Sequence, residues 1–301
     1  MSELLSLVTE PWLLPFMRRA FLVAAVSGAV CGVIGTYVVL RGMAFIGEAV
    51  AHSVFPGVAV AYALAGNMLL GGAVAGVVTA TAIAVVSQNR RLREDTVIGV
   101  FFAFAFGLGI VLVSTRSNYS TDLASFLFGQ VLAVSDADVR TVAVTGAVLV
   151  AVALLLRRRL VAVSLDRETA RAAGLPVFWL DLALYVMVTI AIVNSLQAVG
   201  NILVLALLIT PAATARMLTD RLGTMMALSA LIGCTGAVVG LYASLYANLA
   251  AGGLMVCVLT AIFAAAWLLA PRHGLLARLG RSLRRRPGGA PPAGRPLAST
   301  R

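Results

Sequence analysis

The stretch GEAVAHSVFPG sets Glu48 and His52 four residues apart inside an otherwise apolar run. On a helix such residues project from one face, one turn apart, so a carboxylate and an imidazole would meet. Ionisable side chains in a long apolar run are costly and usually face a partner or a cavity. One oxygen and one nitrogen donor suit a borderline divalent ion such as Zn2+ or Mn2+, whereas Ca2+ and Mg2+ want more oxygens. One chain supplies two ligands; two copies across a two-fold axis would supply four. The same spacing equally allows a Glu48–His52 hydrogen bond that only locks helix packing. Pro56 and Gly57 follow closely, and because proline removes a helical N–H, a break just past His52 is expected.

Two further stretches hold polar groups between apolar runs. In RRRLVAVSLDRETARAAGLPV, Asp166 is a good N-cap, Glu168 suits a first turn, and Gly174 with Pro176 closes the segment. The result is a helix of about two turns, too short to stand alone, so it leans on its own bundle or on a second protein. In IVNSLQAVGNILVLALLITPAATARMLTDRL, Asn194, Ser195, Gln197 and Asn201 cluster near one end. Amides at that depth serve as helix–helix glue or as the wall of a pathway that replaces metal-bound water; Asn194, Gln197 and Asn201 are the pathway candidates. Asp181, near a helix end, reads as interfacial and structural, and His273 as a solvated end residue.

The elements that must position these residues follow from composition. The chain has 301 residues, 61% apolar and 12% charged, with a mean hydropathy of +1.00. A soluble fold could not bury that much apolar surface, so the chain is read as an integral membrane protein. Nine apolar runs are long enough to consider as spans, at about 20–40, 47–65, 68–87, 96–115, 139–156, 177–197, 199–215, 222–246 and 250–270. Some are short or interrupted by Pro and Gly. The expectation is therefore an all-α bundle of eight to nine spans with a short helix between two of them. Residues 1–271 form the membrane domain, with the short segment at about 164–176 inside it, and 272–301 a basic tail disordered at its end. Small-residue pairs at Gly28/Gly32, Gly72/Gly76 and Gly236/Gly240 would let helices approach closely. Cys31, Cys234 and Cys257 show no metal-finger spacing and read as small hydrophobes.

All 23 basic residues are arginine, against 12 acidic ones, for a net charge of +11. With the C-terminus inside and nine alternating spans, nineteen of the 23 arginines fall on the cytoplasmic side. Arg18, Arg19, Arg116 and Arg140 do not; a cytoplasmic N-terminus with eight spans would satisfy Arg18 and Arg19. Without lysine the chain has no P-loop and no Schiff-base nucleophile. Its arginines lack the interleaved aromatics of a nucleic-acid surface and read as topology and lipid-headgroup signals. There is no HExxH, no GxSxG and no pair of intramembrane carboxylates, which argues against an intramembrane enzyme.

Taken in order, VVLRGMAFIGEAVAHSVFPG, QNRRLREDTVIGVFFA, SLDRETARAAGLPV and GNILVLALLITPAATARMLTDR resemble the permease subunits of the zinc/manganese-type ABC importers, over about residues 17–274. The resemblance implies a non-enzymatic subunit of the bacterial cytoplasmic membrane that pairs with a second copy of itself. It further implies a separate cytoplasmic ATPase dimer that binds ATP, and an extracytoplasmic metal-binding lipoprotein that delivers Zn2+ or Mn2+. Glu48 and His52 match the family's acidic-x-x-x-His pair as metal contacts, with Glu where Asp is common. Residues 166–174 match the helix that docks in the ATPase, which makes Asp166, Arg167, Glu168, Arg171 and Gly174 the coupling residues. The chain itself carries no cofactor in this reading. The competing expectation is an ion- or proton-coupled secondary transporter, with Glu48 carrying the proton and no ATPase.

Overall fold

The computed structural model describes residues 11–64, 66–88, 91–114 and 134–270. Every regular element among them is helical, as runs this rich in Leu, Val and Ala must be where only intra-segment hydrogen bonding can satisfy the backbone. In chain order these are α1 (Pro15–Arg41), α2 (Ile46–Ala63), α3 (Met68–Val86), α4 (Glu94–Ser114), α5 (Asp136–Leu155), α6 (Arg157–Leu165) and α7 (Arg167–Ala172). After α7 come α8 (Val177–Val199), α9 (Asn201–Leu218), α10 (Leu222–Ala247) and α11 (Ala251–Leu269). Six helices, α1, α4, α5, α8, α10 and α11, are long and apolar enough to cross a membrane, and α2, α3 and α9 contain shorter apolar helices.

Helix α1 is the axis of one group and packs against α5, α9 and α10, with α11 against α9 and α10; α2, α3 and α4 form a second group, and α8 touches both. The close approaches rest on missing side chains. A Cβ on Gly28 would land on the Gly233 carbonyl, one on Gly32 would come within 2.6 Å of the Ser229 carbonyl oxygen, and one on Gly76 within 2.8 Å of a Thr189 methyl. The pairs at 28/32, 72/76 and 236/240 thus all sit at contacts, and Gly35, against Leu208, joins them.

One sequence expectation changes. Helix α2 runs unbroken through Pro56 to Ala63. Pro56 removes only the N–H that would reach the His52 carbonyl, while Gly57 seats α2 against the backbone of Gly71 on α3, so packing holds the helix where the local ladder weakens. Asp181, near the start of α8, is fully buried within the bundle. Of the cysteines, Cys31 is buried, Cys234 half-buried and Cys257 exposed on the outer face of the bundle. The tail, with His273, lies outside the described residues.

The two ends of the bundle differ. At one, Arg19 pairs with Asp136 at 3.1 Å, and a capping box between Ser135 and Asp138 starts α5. That pairing meets the charge which made Arg19 awkward on the outer side. At the other end lie Arg41, Gln88, Glu94, Ser164 and α7, joined by side-chain contacts.

Candidate functional site

Helix α2 brings Glu48 and His52 together as the i, i+4 spacing requires: His52 Nε2 lies 3.2 Å from Glu48 Oε2. The pair is neither sealed nor open, with side chains 16% exposed at His52 and 37% at Glu48. Two rings of α4 present themselves to the imidazole edge-on, Phe102 at 5.2 Å and Phe106 at 5.0 Å between centroids. Such edge contacts fix a ring's orientation and leave its nitrogens to act along the edge. Among the described residues no group of three or more His, Cys, Asp or Glu could hold an ion.

A second charged cluster lies at the arginine-rich end. Asp181, four residues into α8, is met by Arg41 from the last turn of α1, Nη1 to Oδ1 at 2.6 Å, and by Arg167 Nη2 at Oδ2. The same Arg167 nitrogen pairs with Glu94 Oε1, at the first residue of α4, and the Tyr185 hydroxyl donates to that oxygen at 3.2 Å. Arg41 Nε donates to Ser164 Oγ at 3.0 Å. Two arginines thus balance two carboxylates, the condition under which buried charge is tolerated. Arg41 Nη2 is buried without an acceptor among the described residues. Burial lowers the affinity of Arg167 for its proton, yet Glu94 and Asp181 together outweigh that and hold its pKa above the ordinary value. Beside the cluster is a polar cavity of about 820 Å³ lined by Arg41, Gln88, Glu94, Asp166, Arg167 and Arg171 among others.

The short helix α7 forms as its sequence indicates. Asp166 Oδ1 accepts from the Glu168 N–H at 2.9 Å, and its second oxygen accepts from the Thr169 hydroxyl. Those bonds, the hydroxyl first and then the Glu168 and Thr169 amides, hold the exposed Asp166 carboxyl below the usual range. Gly174, at φ +75°, makes the left-handed turn that ends the segment. Glu168 and Arg171 face outward, and Arg171 donates to Gln88 Oε1 at 2.6 Å. Arg167 points the other way, into the ion cluster, and Ala170 is buried beneath the helix.

Asn194, half-buried on α8, donates from Nδ2 to the Val142 carbonyl of α5 at 3.4 Å. That is the geometry of helix–helix glue. The side chains of Gln197 and Asn201 lie outside the described residues, and Gly200, at φ +84°, makes the sharp passage from α8 to α9. Sequence reasoning missed the ion cluster. Its one signal was an aspartate inside an apolar run at 177–197.

The fold is that of a membrane component of an ABC transporter. The model of the ABC 3 transport family matches residues 13–270, and the chain belongs to that family. It is 40% identical over 269 residues to a manganese transport system membrane protein of Halalkalibacterium halodurans, covering 89% of this chain and 92% of the relative. It is 37% identical over 274 residues to a chelated iron transport system membrane protein of Yersinia pestis, covering 91% and 93%. The fold matches a chain of PsaBC from Streptococcus pneumoniae, solved in complex with Fab, at a TM-score of 0.80 and 34% identity, over 92% of this chain and 99% of that one. As a permease of the bacterial cytoplasmic membrane, the chain leaves ATP hydrolysis to a separate subunit.

Proposed function

We propose that this permease carries a divalent transition metal ion inward, Mn2+ first and Zn2+ next, and that Glu48 and His52 are its metal contacts. The observation that carries the reading is the 3.2 Å approach of Glu48 Oε2 and His52 Nε2 on a half-exposed face of α2. Carboxylate and imidazole suit both ions, and the names of the relatives from Halalkalibacterium halodurans and Yersinia pestis point to manganese and iron. An ion bound there would be held by a carboxylate oxygen and a neutral imidazole nitrogen, any proton between them passing to solvent. Two ligands bind weakly and release readily. Two copies of the chain, apposed through this face, present four.

The nine apolar helices among the described residues cross the membrane in alternation, counting α2 and α9, each about 27 Å long at 1.5 Å per residue. Alternation puts Arg41, Gln88, Glu94 and α6–α7 on one side, which the arginine distribution makes the cytoplasm. There the outward residues of the coupling segment, Asp166, Glu168 and Arg171, with Gly174 closing it, meet the ATPase dimer, while an extracytoplasmic binding lipoprotein loads the opposite face. Asn194 joins α8 to α5 and is left out of the pathway.

The test is uptake into proteoliposomes holding the chain, its ATPase and its binding protein, with Mn2+ and Zn2+ compared with and without ATP. ATP-dependent uptake that saturates with Mn2+ is expected. Uptake by the chain alone down an imposed gradient would make it a secondary transporter instead.

A further inference from the structure

Resting on that reading, we propose that α4 is the rod that carries motion from the coupling segment to the metal contacts: Arg167 grips its first residue, Glu94, while Phe102 and Phe106 further along touch His52. Both ends of the link are side-chain contacts. At the base, one nitrogen of Arg167, the first residue of α7, is shared by Glu94 on α4 and Asp181 on α8. About 12 and 18 Å further on, at 1.5 Å per residue, come Phe102 and Phe106. Their ring centroids lie 5.2 and 5.0 Å from that of His52. A continuous helix without proline transmits a shift of one end to the other.

Among the described residues, the packing of α4 is light. Its main helical neighbour is α2, with a lighter contact on α3, and only 22% of its most apolar window is buried, against 72% for α1. It is therefore a lightly embedded helix leaning on the one that carries Glu48 and His52. α8, by contrast, is fixed by Asp181 to Arg41 of the well-buried α1. Arg167 thus sits between a fixed carboxylate and a movable one. A displacement of α7 by the ATPase changes how its guanidinium is divided between Asp181 and Glu94, and α4 tilts against α2 in response. The aromatic edges that orient the imidazole shift with it, which alters the ligand geometry offered to the ion. Arg167 and Glu94 are positioning residues in this scheme, acting on the ion through α4.

The experiment uses the complete transporter, re-isolated as the intact complex before reconstitution in proteoliposomes, and reads Mn2+ taken up per ATP hydrolysed. Arg167→Gln and Glu94→Gln are each expected to lower it by about tenfold, within the usual range of coupling between sites, and the double variant to fall no further than the worse single one. Arg167→Lys keeps the charge and should lower the ratio less than Arg167→Gln does. Phe106→Leu tests the far end without touching the ion cluster; Phe106 is 46% exposed, so the exchange is tolerated by folding, and the ratio should again drop. A ratio within about twofold of the parent for Phe106→Leu, or for both charge variants, would overturn the proposal. Failure of the underlying reading shows elsewhere, as absent ATP-dependent uptake by the unmodified transporter or as normal uptake by Glu48→Gln.

Discussion

At the arginine-rich end Asp181 is closed in by two guanidinium groups, its side chain wholly buried, whereas Glu48 meets a single imidazole and keeps 37% of its side chain exposed. Both sites place charge in an apolar bundle, and they solve the cost in opposite ways. The four-membered cluster pairs each carboxylate with an arginine, drawn from α1, α4, α7 and α8. Removing one member leaves the others uncompensated, so the cluster ties those elements together. The pair on α2 joins two groups of one helix, with the rings of Phe102 and Phe106 on α4 against the imidazole. Its side chains keep partial exposure, 16% at His52 and 37% at Glu48, which suits the proposed contact with an ion in transit. A fully matched cluster makes a joint; an under-matched pair makes a contact that can exchange.

The most severe way to probe this contrast is at the pair. Glu48→Gln keeps the shape and removes the charge, and uptake should fall by more than about a hundredfold, since even loss of a residue that only supports a ligand costs 10–100-fold. Assembly with the ATPase, read by co-purification, should persist. At the cluster the damage is to stability instead: Asp181→Ala strands two arginines and should cost about 3–5 kcal/mol, read as a lower unfolding midpoint in detergent. If the two variants exchanged phenotypes, the contrast would be broken. Arg171→Glu, on the outward side of α7, should reduce ATPase co-purification by about tenfold through a reversed charge at the interface, with thermal stability close to the parent. The smallest effect belongs to Asn194→Leu, which removes one interhelical hydrogen bond worth about 0.6 kcal/mol. Its uptake should match the parent, and a large loss would return Asn194 to the pathway.

Much of the contact site was legible because it is local. Four-residue spacing on a helix is enough to bring Glu48 to His52, and the N-cap at Asp166 with Gly174 eight residues on is enough to delimit α7. Small residues at 28/32, 72/76 and 236/240 indicated close approaches without saying to what. The ion cluster was not legible, because its members at 41, 94, 167 and 181 meet only once four elements have packed. Arg41 and Arg167 each resemble an ordinary cytoplasmic arginine in isolation. The expected break at Pro56 failed for the related reason that one missing N–H is a local weakness, and contacts such as Gly57 on Gly71 decide whether the helix yields.

The most direct measurement of the division between joint and contact is His52→Ala in the complete transporter, with Mn2+ uptake and ATP hydrolysis followed in the same proteoliposomes. Hydrolysis should continue and uptake be lost, because the ion would have no nitrogen ligand while the cluster and α7 are untouched. Uptake at the parent rate would contradict this and remove the Glu48–His52 pair from the path of the ion.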